Sequence, residues 1–315
     1  MHNVLCIGEL LIDFMGQVRD ARLYEQPGFI MKPGGAPGNV ACTIGALGGK
    51  CHLFGAVGED AFGELLVQTL ESHNVITTSV IKSQKPTTLA FVSLASDGQR
   101  DFIFNRGADA DLHLIDLSET TFMTSQLVHF GAATALLPGA LHTTYKELFI
   151  KSKASKRLIS FDPNYRSAFW EKDIESFVAL CNPFLLEADF IKLSDEEAFL
   201  LTHTTDITTA ISHLKTAYAG TFAITLGAQG VVLFNKEWEC HVPAPKVKVV
   251  DTTGAGDAFV GAFLFQLSQT ENPQSVLKDC DSMSTYARRA NEVAAAICTE
   301  LGALTALKQF MTTRE

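Results

Sequence analysis

The sequence predicts an α/β fold: a mostly parallel central sheet flanked by helices, with a small second β-sheet standing off the main body. Three observations predict it. Short, continuously apolar runs alternate with runs of helical periodicity along almost the whole chain, as strands do when helices cover both faces of a parallel sheet. Two segments break that rhythm with strand-like patterns around turn residues, which is hairpin chemistry. The chain has 315 residues, 47% hydrophobic and 19% charged, enough for one large α/β domain or two ordinary ones.

In chain order, NVLCIG reads as the first strand and APGNVACTIGALG as a helix with Pro37 near its start. AFGELLVQTLESHN has helical apolar spacing. TTLAFVSLASDGQRDFIFNR (87–106) is a hairpin about an Asp-Gly turn, and with the stretch around 14–32 it is expected to form the small sheet. LVHFGA is a short buried strand, LHTTYKELFIKSKASK a helix, and RLISFDPN a strand. DFIKLS leads into the helix DEEAFLLT, and the helical ITTAISHLKTAY precedes the strand TFAITLG. GVVLFNKEWECHVPAP (230–245) is a second hairpin. No Pro/Gly/Ser-rich linker and no internal repeat interrupts the chain, so one domain over 1–315 is expected.

Charge and cysteine content narrow the function. The formal net charge is −10 and the pI near 5.4, and the one basic run, KSKASKR (151–157), reads as a solvated helix end, so a nucleic-acid partner is not expected. MHNVLCIGELLIDFMG is interrupted by Glu9 and Asp13 and lacks a basic leader. No stretch is long and apolar enough to cross a bilayer. Seven scattered cysteines without CxxC spacing fit reduced thiols in the cytoplasm, with Cys6 and Cys298 as core filler, and no zinc site.

The chemistry concentrates at VVDTTGAGDAFVGAF (249–263). A strand, a turn with Gly254 and Gly256, and an apolar helix would aim the N–H groups of Ala255, Gly256 and Asp257 at an anion, helped by the helix dipole. Phe259 stands where a dinucleotide fingerprint needs glycine. IGALGGKC (44–51) lacks both the first glycine and the Ser/Thr of a P-loop. Asp257 would repel a bound phosphate. It either caps its helix or serves as a base toward a hydroxyl that attacks the phosphoryl group.

DTTGAGDAFVGAF closely resembles the C-terminal signature of the ribokinase-like (PfkB) carbohydrate kinases, and GGAPGNVA (34–41) their N-terminal one. FDPNYR, KLSDEE and ITLGAQG follow in the family's order and spacing, so the resemblance covers nearly the whole chain. It implies a ribokinase-like, Rossmann-like α/β domain, with segments 14–32 and 87–106 as a β-sheet lid over a sugar. It also implies phosphorylation of a sugar hydroxyl by Mg-ATP, with Asp257 as base and Gly254, Ala255, Gly256 and Asp257 as the anion hole.

The resemblance assigns the remaining site. Asp13, where the first strand is expected to end, would bind sugar hydroxyls with Gly34, Gly35 and Asn39. Arg106, after the lid hairpin, is the arginine that fructokinases carry there, and Arg166 of FDPNYR would stand near the transferred phosphoryl. Glu197 would act on magnesium through water, while Ser194 departs from the family's usual Asn. Thr225, Gly227 and Gly230 would line the nucleotide, with Asn291 beside the adenine. Asp251, Thr253 and carbonyls near Gly302 match a site for a monovalent cation, potassium. D-fructose, giving fructose 6-phosphate, is the expected acceptor, with 2-keto-3-deoxygluconate or an aminoimidazole riboside as alternatives. A silent sugar sensor would have lost Asp257 or the glycines, and a Rossmann oxidoreductase would need a glycine fingerprint that CIGELLID lacks. Relatives often pair through their lids, so a homodimer is expected.

Overall fold

The computed structural model describes residues 2–18, 20–94 and 100–311. Its strands are β1 (Asn3–Ile7), β2 (Leu11–Gly16), β3 (Phe29–Gly34), β4 (Cys51–Gly58), β5 (Val80–Ser83), β6 (Thr88–Leu94), β7 (Arg100–Asn105), β8 (Ser125–Gly131), β9 (Leu158–Asp162), β10 (Phe190–Ser194), β11 (Thr221–Thr225), β12 (Val231–Phe234) and β13 (Glu239–Val242). The helices are α1 (Ala36–Ala46), α2 (Ala61–Ser72), α3 (Glu119–Thr124), α4 (Ala140–Ala154), α5 (Ser167–Trp170), α6 (Ile174–Glu187), α7 (Asp195–Thr202), α8 (Ile207–Ala217), α9 (Ala255–Gln269), α10 (Pro273–Val276) and α11 (Cys280–Ile297).

Nine strands form the main sheet in the order β13-β12-β11-β10-β9-β8-β1-β4-β5. From β11 to β5 neighbours run parallel; β12 and β13 are the antiparallel hairpin read from residues 230–245. Both faces are covered. Helices α1, α9 and α11 close one core, where Phe190 of β10 stacks on Phe263 of α9 at 4.5 Å. On the other face α4, α6, α7 and α8 pack around Phe130, Phe161 and Phe184. The parallel strands therefore point their C-terminal ends at one edge, where a sheet of this kind binds ligand. Helix α6 and strands β4 and β5 went unremarked in the periodicity.

The small sheet has the order β3-β2-β6-β7. Its hairpin β6-β7 runs as expected, although the Asp-Gly turn at 97–98 lies outside the described residues. Its other pair spans Leu11–Gly16 and Phe29–Gly34, beginning before and ending after the expected 14–32. Asp13 consequently does not end the first strand. That strand stops at Ile7, Gly8 turns at φ 148°, and Asp13 sits within β2 of the small sheet, opposite Lys32. Cys6 is core as expected, whereas Cys298 is only half-buried after α11.

Candidate active site

Gly254 caps α9 in the left-handed region (φ 77°), and a Cβ there would lie 2.3 Å from that of Ala303, so glycine is required twice over. The N–H of Ala255 turns back to the Thr252 carbonyl (3.2 Å), which removes it from the anion hole the sequence suggests. Gly256 and Asp257 follow in the first helical turn, where N–H groups have no intrahelical acceptor, and among the described residues no side chain caps this end. Asp257 is 8% exposed, and its Oδ2 accepts a 2.8 Å hydrogen bond from Asn39 Nδ2. Burial raises its pKa above the ordinary carboxylate range, while Asn39, Arg166 and Lys192 pull it back and Glu197 adds to the rise.

Asn39 arrives on α1, whose entry is built by the other glycine pair. A Cβ on Gly34 would fall on the Asp13 carboxylate and one on Gly35 on the Glu9 carbonyl. Burial pushes Asp13 up to about 6, with Arg166 opposing and Asp257 reinforcing, so these three groups share one field. Arg166 is exposed and donates to Asn164 Oδ1 (3.2 Å) and the Tyr165 carbonyl (3.0 Å). Arg106 is held by groups of the protein, and the Asp109 it pairs with also acts on Glu9. Its ion-pair partner is the buried Asp109 (3.2 Å), and it also donates to the carbonyls of Thr134 and Pro138. In this structure it clamps the end of β7 to the loop after β8.

Beneath the turn lies a buried polar layer that the sequence reading passed over. Asp162 ends β9, and Lys192 stands on β10 with its ammonium 3.2 Å from Asp162 and 3.9 Å from Glu197. Burial works against the Lys192 charge, but Asp162, Glu197 and Asp257 outweigh it and raise the lysine's pKa. Glu9 completes the layer. Its Oε1 accepts from the Ala36 N–H (3.0 Å), its Oε2 is buried without a hydrogen-bond partner, and burial lifts its pKa to about 7. The available signal was a charged residue in or just past an otherwise apolar strand.

The nucleotide-side residues follow the same edge. Ser194 ends β10 and caps α7: its Oγ accepts from Glu197 N–H, and Glu197 Oε2 accepts from Ser194 N–H. Serine is among the favoured N-cap residues, as asparagine is. Glu197 Oε1 also takes the Tyr165 N–H at 2.7 Å, fixing the loop that carries Arg166. Thr225 ends β11, and its hydroxyl donates to the Leu193 carbonyl; Gly227 after it faces open space. Gly230 packs against Val242 and Ala244, and Asn291 of α11 donates to the carbonyls of Val242 and Pro243.

The pfkB family carbohydrate kinase profile matches residues 1–309. The chain belongs to the pfkB family of carbohydrate kinases. It is 36% identical to a probable fructokinase-5 of Arabidopsis thaliana, over 96% of this chain and 94% of that relative. A crystal structure of fructokinase with bound ATP from Xylella fastidiosa superposes with a TM-score of 0.84 at 29% identity, covering 96% of this chain and 94% of the other. A fructokinase from Vibrio cholerae O395 with fructose, ADP and calcium ion bound gives 0.82 at 28% identity, covering 99% of both. The ribokinase-like fold is thereby established, with the four-stranded sheet as its lid.

This pfkB chain fits one of the two cations that the family resemblance implies. Three carboxylates (Asp162, Glu197, Asp257) face one lysine, so after the 3.2 Å pair of Asp162 Oδ2 with Lys192 this buried layer still holds more carboxylates than cations. Among the described residues no group of three His, Cys, Asp or Glu could hold a metal by itself. That pattern suits magnesium, which arrives on phosphates and asks a protein for one or two carboxylates, often through water. The potassium residues come together but are engaged. Asp251 accepts from the Thr253 N–H and hydroxyl and from the Gly302 N–H (2.8 Å). The Cys298 carbonyl takes two backbone N–H groups; that of Leu301 takes the Thr305 hydroxyl and the Lys32 ammonium (3.4 Å). Protein donors hold this loop and Lys32 supplies a positive charge, so the donor set does not fit an added potassium ion.

Proposed function

We propose that this sugar kinase transfers the γ-phosphoryl of Mg-ATP to D-fructose, giving fructose 6-phosphate. The observation that carries the reading is the first turn of α9: free N–H groups at Gly256 and Asp257, with the buried Asp257 carboxylate beside them on Asn39. The acceptor hydroxyl lies against Asp257, which takes its proton as the oxygen attacks phosphorus. Charge on the transferring group falls on the Gly256 and Asp257 amides and the helix dipole. Asp13, Gly34 and Gly35 hold the sugar from the lid side, and closure of the lid excludes water. ATP lies along the Thr225–Gly227 turn toward Gly230 and Asn291. Asp162 and Glu197 would hold a magnesium ion that arrives with the phosphates, through water, and the ion would supply charge neutralisation there.

The protein acts as a homodimer through the lid, where Phe14, Met31, Phe91 and Ile103 share one side by register and Met31 and Ile103, beyond the packing of Phe14 on Phe62, are 42% and 50% exposed. Seven free cysteines suit a reducing cytoplasm. ADP release with Mg-ATP is measured on fructose, ribose, 2-keto-3-deoxygluconate, aminoimidazole riboside and adenosine. Preference for fructose is expected. Preference for another acceptor keeps the mechanism and overturns the substrate, whereas silence on all of them overturns the kinase reading.

A further inference from the structure

Lys192 sits where a structural ion pair would be an unusual choice. Along β10, Phe190, Lys192 and Ser194 alternate onto the face that packs against α9. Phe190 stacks on Phe263, two helical turns into α9; two residues further up the strand, Lys192 reaches the first turn of that helix. A Cβ built on Gly256 would meet the Lys192 ammonium at 3.2 Å, so the side chain abuts the backbone whose amide faces the anion. Lys192 is 7% exposed, and its carboxylate neighbours outnumber it three to one. A charge this buried is costly unless balanced, and a structural pair would need only one carboxylate.

Resting on the kinase function above, we infer that Lys192 is a further catalytic residue, a fixed cation at the side of the anion hole that binds the oxygens of the phosphoryl group during transfer. In that step the bond between phosphorus and the ADP oxygen breaks and the bond to the sugar oxygen forms. The sugar's proton passes to Asp257, and Lys192 keeps all three of its own. Between turnovers Asp162 and Glu197 hold the ammonium in place, which removes the need to reorganise it as charge develops. Gly256 is glycine because any side chain there would stand between the lysine and the anion.

The test compares wild type with Lys192→Gln and Lys192→Arg, with thermal melting run on each. Glutamine can still donate to Asp162, so the fold is expected to survive. With fructose and Mg-ATP, Lys192→Gln should lose kcat on the order of 10²–10³-fold with little change in ADP affinity. It should also fail to trap ADP with aluminium fluoride and fructose, a complex that resembles the transferring phosphoryl. Lys192→Arg should recover part of both. A folded Lys192→Gln protein with near-normal kcat and normal trapping overturns the assignment and leaves the kinase reading standing. Wild type silent on every acceptor overturns both.

Discussion

Two glycine turns open two helices at the same edge of the sheet, and they are finished differently. At α1, after Gly34-Gly35, the chain supplies its own acid, as Glu9 accepts from the Ala36 N–H. At α9, entered at Gly254, no side chain among the described residues fills the end, and the amides of Gly256 and Asp257 are left for something else. A helix N-terminus favours an anion. Where the protein provides its own acceptor the turn is a joint; where it withholds one the turn is a site. The two are bridged by Asn39 to Asp257, so the joint aims the site.

The sharpest way to break the comparison is to neutralise the open turn. Asp257→Asn should lower kcat on the order of 10²–10⁴-fold, the range for a positioned base, while ATP binding stays close to wild type. Melting temperature should hold or rise, because the fold disfavours this buried charge. Turnover near wild type in that variant would remove the base.

How much of this was legible follows from where the partners lie in the chain. The open turn could be read because its glycines, its aspartate and its apolar helix are contiguous. The Ser194 cap went unread, although Ser-Asp-Glu-Glu is a capping box written in four residues. Asn39 and Asp257 are 218 positions apart, and nothing local in either segment says that they touch. Lys192, Asp162 and Glu9 were missed because a charge at a strand end looks like an exposed edge until the lid and helices bury it. Asp13 was misplaced for a related reason: GELLID continues the apolar pattern of β1, and only the backbone turn at Gly8 carries it into the other sheet.

The filled turn predicts a stability effect that depends on pH. Glu9 titrates near 7 in the folded chain against 4.5 as a free side chain. Its raised pKa means that the fold prefers the neutral acid, so the cost of ionising it is absent at low pH, grows above 4.5 and is complete above about 7. Glu9→Gln keeps the acceptor for Ala36 and cannot ionise. Its stability relative to wild type should therefore climb with pH, reaching on the order of 3 kcal/mol in favour of the variant above neutrality, with kcat little changed. Paired melting curves across that range check it. A constant offset at every pH would mean that Glu9 ionises equally in the folded and the unfolded chain.

The smallest effect belongs to the bridge. Asp257 must be ionised to act as base, so turnover falls as pH drops through its folded pKa. Several groups set that value: Asn39 from α1, Arg166 from the loop after β9, Lys192 from β10, Glu197 from α7 and Asp13 from the lid. Asn39→Ala removes the direct hydrogen bond from Asn39 to the carboxylate, which favours the charged form. The acid limb of kcat/KM should therefore move to higher pH, on the order of one unit or less, with the plateau lowered modestly. If the limb stays put while KM for the sugar rises, Asn39 serves the sugar alone. The hydrogen bond to Asp257 would then belong to the resting enzyme, and the two turns would be neighbours without being coupled.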